Sequence, residues 1–305
     1  MPATLSLIAL TAFAAPSFPI QADFTYNGVN RPFMVRVDAV RGAKKLTLRL
    51  VKPADGKLVE EVEVKRGKVD VSKAFKTFWS KPHTEVLYLQ RAGDGKANGP
   101  ALVLQPMTNS AVCTLDEATK NPKWTPDEDN TYAGVRCWVD QNVVLDTEFG
   151  EAEFKMRPDC APNTVWNFME LIKGGYYRDV IFHRIVQKHP RTGKKFVIQA
   201  GDPTGTGSGS PGYSFILEKS PLPHDYGVLG MARSTDPNTN GSQFYVALSR
   251  EATQHLDGRY VTYGQLVRGK DVIDKISSVE IGPKDDRPVK PPVIRSARLV
   301  NPKDH

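Results

Sequence analysis

From residue 33 to residue 107, apolar and polar side chains alternate in short runs. FMVRVDAV (33–40), KLTLRLV (45–51), LVEEVEV (58–64), TEVLYLQ (84–90) and ALVLQPM (101–107) show the period of two expected of strands with one buried face. Ala54-Asp55-Gly56, Arg66-Gly67 and Gly93-Asp94-Gly95 separate them as turns. Five or six short strands at this spacing predict a small β-sandwich, immunoglobulin-like, over residues 23–112. Residues 113–132, TLDEATKNPKWTPDEDNTY after Cys113, are polar, acidic and proline-containing, and read as a linker. Strand-like alternation resumes after Tyr132.

The period changes to that of a helix at Pro162. Val165, Phe168, Met169 and Ile172 fall on one face. Pro162 suits the first turn, and Gly174-Gly175 can end the helix. A second helix is predicted over Lys270–Ser277, with Val272, Ile273 and Ile276 inward. Residues 133–305 therefore read as a mostly β domain with two helices.

Composition adds two things. With 305 residues, 40% of them hydrophobic and 25% charged, the chain has the profile of a soluble two-domain protein. Its net charge of +7 lies wholly in residues 1–112, which hold 16 Lys and Arg against 9 Asp and Glu; the remainder balances at 25 against 25. One reading is an N-terminal module that meets an anionic partner; the other is a solvated basic face. The cations alternate with apolar residues and form no block, so a nucleic-acid partner is not expected.

Residues 4–15 form the only long apolar run. It is too short to span a membrane. With Ala12-Phe13-Ala14 as a cleavage pattern it reads as an export leader within residues 1–22, which places the protein in the periplasm or outside the cell. No basic residue precedes Arg31, so a first buried strand in a cytoplasmic protein stands as the alternative. Cys113, Cys137 and Cys160 form no CxxC pair, which argues against zinc. Cys113 and Cys137 can be a disulfide in an exported protein; three reduced, buried thiols are the alternative.

The chemistry concentrates in FHRIV (182–186), FVIQAGDPTGTG (196–207), NTNGSQFYV (238–246) and HLDGRYVTYG (255–264). These segments hold Arg, Gln, His and aromatics among glycines. They lack a nucleophile with its base, a metal-ligand spacing and a phosphate-binding GxxxxGK[ST] loop, so no metal or cofactor is expected. GDPTGTGSGSPG (201–212) reads as a mobile loop beside a groove. Such a site suits polarising an amide better than breaking a bond.

From about Gly134 to Leu299 the chain resembles the cyclophilin family of peptidyl-prolyl cis/trans isomerases. APNTVWNFMELIKGGYY (161–177), FHR, FVIQAGD, GVLGMARS, NTNGSQFY and LDGRYVTYG carry the likeness, in the family's order. The resemblance implies a closed eight-stranded β-barrel capped by two helices, acting on proline-containing polypeptides, here during folding of exported proteins. It implies Arg184 as the catalytic guanidinium, Gln199 orienting it, and Phe196 as the floor of the proline pocket. Val197, Gln243, Tyr245, Leu256 and Tyr260 would line the groove, Ala232 and Arg233 would meet residues preceding the proline, and His183 would be a wall or structural residue.

Two departures stand out. IVQKHPRTGKK separates Arg184 from Phe196, longer than the family's usual connection, and predicts a basic hairpin beside the groove. His255 stands where the family often has Trp, in a position that contributes to cyclosporin binding, so inhibition weaker than sub-micromolar is expected. A non-catalytic proline-binding or chaperone module is the competing reading.

Overall fold

The computed structural model describes residues 18–76, 78–80, 85–128 and 130–302. The apolar run at 4–15 lies outside them. Among the described residues no helix is long and apolar enough to cross a membrane.

The alternating segments form two antiparallel sheets. One joins Ile20–Ala22, Met34–Val37 and Gly67–Asp70. The other runs Tyr26–Gly28, Gly134–Val139, Leu102–Met107, Leu87–Gly93, Leu46–Val51 and Leu58–Glu63, with Lys96–Ala97 folded back on Leu87–Gly93. Leu48 and Leu50 point inward with Phe33, Val35, Leu89 and Leu104, so both sheets share one core. Burying such side chains gives each about 1.5–3 kcal/mol, which is what the period of two encodes.

Three expectations change here. Residues 113–132 are not a plain linker: Val112–Leu115 and Pro122–Thr125 pair as an antiparallel hairpin. Asp116 closes its turn by accepting from the backbone N–H of Thr119 at 2.8 Å and its hydroxyl at 2.8 Å. The polar residues cap the turn, while Cys113 and Trp124 face the C-terminal core. Next, the boundary drawn at 132/133 falls short of a strand of the N-terminal sheet, because Gly134–Val139 pairs with Leu102–Met107 and Tyr26–Gly28. Finally, Cys113 and Cys137 are not bonded. All three cysteines are free and buried, Cys113 in the C-terminal core and Cys137 in the N-terminal one.

The C-terminal sheet has nine antiparallel strands in the order Val180–Ile181, Val293–Val300, Asn142–Thr147, Gly150–Met156, Thr262–Arg268, Val228–Met231, Phe244–Ala247, Val197–Ala200 and Arg184–Ile185. The expected closed eight-stranded barrel is not what the hydrogen bonding shows. No ladder joins the two end strands among the described residues. They are instead neighbours in sequence, so the single stretch 180–185 carries both edges: Val180 pairs with Ile294, and Arg184 with Gln199.

Helix Pro162–Lys173 packs Val165, Phe168, Met169 and Ile172 into the sheet's concave core. Its N-cap, Ala161, supplies no side-chain bond. The carboxylate of Glu218 takes that place, accepting from Asn163 N at 3.0 Å and Thr164 N at 2.7 Å, two of the donors a helix leaves unpaired at its start. Helix Lys270–Ile276 buries Val272, Ile273 and Ile276.

Candidate functional site

The site forms on four neighbouring strands. Arg184 is opposite Gln199, Gln199 opposite Tyr245, and Tyr245 opposite Gly230. Cross-strand partners share a face, so sheet register alone gathers Arg184, Gln199 and Tyr245 into one row. Alternation does the rest along Val197–Ala200: Ile198 and Ala200 enter the core, while Val197 and Gln199 face the other way.

A cavity of about 160 Å³ opens on this row, lined by Arg184, Phe196, Val197, Gln199, Ala232, Arg233, Tyr245, Leu256 and Tyr260. Each of these nine residues was named from the sequence. Tyr245 and Tyr260 meet edge to face, 6.2 Å between ring centroids. The Arg233 guanidinium lies 4.5 Å over the Tyr260 ring and donates to the carbonyls of Ser234, Thr235 and Arg259, so it acts as a fixed wall.

Gln243 lies next door, in an adjoining cavity of about 360 Å³ that shares Gln199, Ala232 and Arg233 with the first. Its carbonyl accepts from Gln199 Nε2 at 3.0 Å. Its own NH₂ donates to Gly207 and Gly209 carbonyls at 2.9 and 3.0 Å. The loop read as mobile is therefore tied down. Asp202 anchors it from inside, accepting from Thr204, Gly207 and Gly209 N–H at 2.7, 2.7 and 3.0 Å. Burial opposes the ionised form of Asp202, but these bonds outweigh it and hold its pKa well below the usual carboxylate range.

Arg184 is partnered by Asp286, with Nη2 3.4 Å from Oδ2. The expectation that Gln199 orients it is not what the side chains show, since Gln199 bonds Gln243. Strand pairing puts Arg184 and Gln199 side by side, but each side chain bonds a different partner, Arg184 to Asp286 and Gln199 to Gln243.

His183 does not line the cavity. It is buried beside Gly207, neither ring nitrogen has a hydrogen-bond partner among the described residues, and burial lowers its pKa. His255 lies at the rim, stacked on Phe196 with centroids 5.6 Å apart and planes 14° from parallel.

Two neighbours of the site escaped the sequence reading. His224, fully buried, sets Nε2 2.7 Å from the Tyr245 hydroxyl and Nδ1 2.8 Å from Asp257 Oδ1. Asp257 is in turn 2.6 Å from Arg250 Nη2. Asp286 is the other. The isolated PHDYG and KDDRP segments that hold them carry no spacing signal.

A larger cavity, about 470 Å³, opens elsewhere, between the 112–125 hairpin and the start of helix Pro162–Lys173. Its half-buried carboxylate, Glu218, is already engaged as the helix cap, and Gln105 and Asn163 in its lining bond each other at 3.0 Å and Arg136. Among the described residues no His, Cys, Asp and Glu group could hold a metal.

The sequence model for "Cyclophilin type peptidyl-prolyl cis-trans isomerase/CLD" matches residues 142–299. The match starts after strand Gly134–Val139, in keeping with that strand's place in the N-terminal sheet. Peptidyl-prolyl cis-trans isomerase-like 2 of Cryptococcus neoformans is 40% identical over 165 residues, 52% of this chain and 27% of its own length. The chain thus spans about a quarter of that relative. Peptidyl-prolyl cis-trans isomerase-like 1 of Gibberella zeae is 40% identical over 164 residues, 52% of this chain and 94% of its own length. A cyclophilin type isomerase of Cryptosporidium parvum, solved in the presence of the dipeptide Ala-Pro, is 34% identical with a TM-score of 0.47, covering 52% of this chain and 99% of that one.

Proposed function

This chain belongs to the cyclophilin-type peptidyl-prolyl cis-trans isomerase family through residues 142–299, and on that premise we propose that it accelerates rotation about X–Pro bonds by noncovalent stabilisation of the twisted amide. The barrier to that rotation is about 18–20 kcal/mol because resonance stiffens the C–N bond. When the bond twists, resonance is lost and the proline nitrogen regains a lone pair. A donor fixed near that nitrogen, or on the proline carbonyl, favours the twisted state over the planar one.

The observation that carries this reading is the joining of Arg184 to an apolar pocket. Phe196, Val197, Leu256, Tyr245 and Tyr260 surround a space of about 160 Å³, suited to a proline ring. Arg184 stands at its edge, half-exposed and steadied by Asp286. Gln199, held by Gln243, keeps one N–H and its carbonyl for the substrate backbone. No proton transfer or covalent step is needed, which matches the absence of a nucleophile–base pair from the lining.

A cis/trans assay on a short X–Pro peptide tests this directly. Wild type should exceed the background rate, and Arg184→Ala should lose about two orders of magnitude, roughly 3 kcal/mol of transition-state stabilisation. A wild-type rate at background would leave a proline-binding module as the surviving reading.

Residues 20–139 are assigned as an accessory unit, a sandwich of two sheets whose immunoglobulin-like topology remains a proposal. Its positive charge is partly offset: Lys45, Arg49, Lys52 and Lys68 each have a carboxylate within 4.0 Å. Anion binding by this unit predicts salt-sensitive retention of the whole chain on a polyanion column. Action on exported clients is the proposal drawn from the leader-like run, and cell fractionation decides it.

A further inference from the structure

The hairpin between Arg184 and Phe196 is held by hydrogen bonds at its base, its tip and its flank. At its base Val186 N donates to Val197 O and Phe196 N to Val186 O, both at 2.9 Å; near its tip His189 N donates to Lys194 O at 2.8 Å. Both legs are also tied to the end of helix Lys270–Ile276. Gln187 Nε2 donates to the Ser277 and Val279 carbonyls at 3.1 and 2.7 Å, and Lys195 Nζ to the Ser277 and Ser278 hydroxyls at 2.9 and 2.8 Å.

This frame lays the His189 ring against Phe196, with centroids 5.0 Å apart. His255 stacks on the same Phe196 ring and lies 5.3 Å from His189. The three rings thus form a compact aromatic cluster at the Phe196 side of the pocket.

Cations surround that extension. Lys188, Arg191 and Lys194 are exposed on the hairpin, and Arg259 is exposed across from it. Among the described residues none of the four has a carboxylate within ion-pairing distance. Asp257, two residues beyond His255, is engaged by His224 and Arg250. His255 feels the result: burial first, then the charges of His189, Arg191 and Arg259, lower its pKa. The groove's opposite end differs. Its lining includes Gly207, Ser208, Ser234 and Thr239, and its one cation, Arg233, already donates to three carbonyls.

We infer that the His189–His255 end of the groove is a subsite for an acidic side chain, Asp, Glu or a phosphorylated residue, lying within a few positions of the substrate proline on one side. The inference rests on the reading of the adjoining pocket as the proline site. An extended peptide advances about 3.3 Å per residue, and the His189 ring centre lies 5.0 Å from that of Phe196, so side chains within a few positions of the proline come to this end of the groove. The clustered imidazoles offer the peptide aromatic contact, and the guanidinium forks of Arg191 and Arg259 match a carboxylate or phosphate. Unpaired charges of one sign beside a groove also raise the encounter rate of an oppositely charged ligand.

The test uses the full chain and fluorescein-labelled peptides with a single proline. Glu, Gln or Lys is placed at each of three positions before and after it. Dissociation constants come from anisotropy and isomerisation rates from exchange NMR. Glu should bind about five- to tenfold tighter than Gln on one side of the proline only, with Lys weakest. The preference should shrink toward unity in high salt and in Arg191→Gln/Arg259→Gln, with an unchanged melting curve showing that the variant folds. Equal affinity for Glu and Gln at every position overturns the subsite, whether or not the protein isomerises anything. Preference for Glu with isomerisation at background upholds the subsite and sinks the isomerase reading alone. A short single-stranded RNA that binds tighter than the Glu peptide, and loses that binding in the double variant, overturns the subsite in favour of nucleic acid.

Discussion

The Tyr245 hydroxyl donates to Nε2 of His224 across 2.7 Å. The direction follows from the other side of the ring. Asp257 accepts from Nδ1 at 2.8 Å, which fixes the proton there and leaves Nε2 as an acceptor. Tyr245→Phe keeps the aromatic wall but leaves a fully buried nitrogen unpaired. A loss of about 1–3 kcal/mol in unfolding free energy is expected, measured by urea denaturation. A variant as stable as wild type would show that the chain Tyr245–His224–Asp257 has no structural weight.

The same histidine sets an acid limit. Burial lowers the His224 pKa, against the opposing pull of Asp257, and burial lowers that of His183. The unfolded chain therefore binds protons at these sites before the folded one does, and stability rises with pH up to the ordinary histidine pKa, about 6.5. The melting temperature should be level between pH 7 and pH 8 and fall as pH drops below about 6.5, a fall reduced by Asp140, whose burial raises its pKa to about 6 and favours the folded chain as it protonates. A second decline should begin below about pH 4. There Asp257, held at about 2 because its bonds to Arg250 and His224 outweigh the cost of burial, and Asp202, likewise depressed, lose the stability that their ionised forms provide. A melting temperature constant from pH 8 to pH 5 in Asp140→Asn, which removes that opposing group, would contradict the histidine assignment.

Gly230 is required by Tyr245 rather than by its own backbone. A Cβ at Gly230 would sit 2.2 Å from Cζ of the Tyr245 ring and 2.4 Å from its hydroxyl. The ring cannot swing aside without leaving His224. Gly230→Ala should cost about 1–3 kcal/mol of stability and also reduce isomerisation, since the displaced ring is a wall of the pocket. Wild-type activity in a folded Gly230→Ala protein would remove Tyr245 from the site.

Asp286 should matter less than the arginine it steadies. The pair is half-exposed at 3.4 Å, and pairs of that kind contribute about 0.2–1 kcal/mol. Asp286→Asn keeps a residue at ease with the positive φ of 53° found there. It should lower kcat/KM by no more than about fivefold, against about a hundredfold for Arg184→Ala. Equal losses in the two variants would mean that Asp286 touches the substrate itself.

Local pattern in the sequence is enough to place Leu48 and Leu50 in a core and Phe168 on a buried helix face. Motifs in sequence order are enough to gather Arg184, Phe196 and Tyr260 around one pocket. What they do not encode is the identity of long-range partners. His224 and Asp286 lie 21 and 102 residues from the side chains they serve, and nothing in the intervening chain marks the connection. The Gly134–Val139 strand shows a related limit: its alternation suits either sheet, and only pairing with Leu102–Met107 decides. The 112–125 hairpin was obscured because its turn is built from the polar residues that also characterise linkers.

That hairpin bears on how separable the two units are. Trp124 Nε1 donates to Leu217 O at 2.8 Å, and Asn238 Nδ2 to Cys113 O at 3.0 Å. Val86, Val103, Cys113 and Trp138 of the N-terminal region belong to the same buried cluster as Phe168 and Phe244. Cutting the chain at the family boundary would thus open a hydrophobic seam instead of releasing a self-sufficient domain. The N-terminal unit packs as a flank of the cyclophilin-type domain, and grafting it onto another member of the family would require carrying over both faces of the seam.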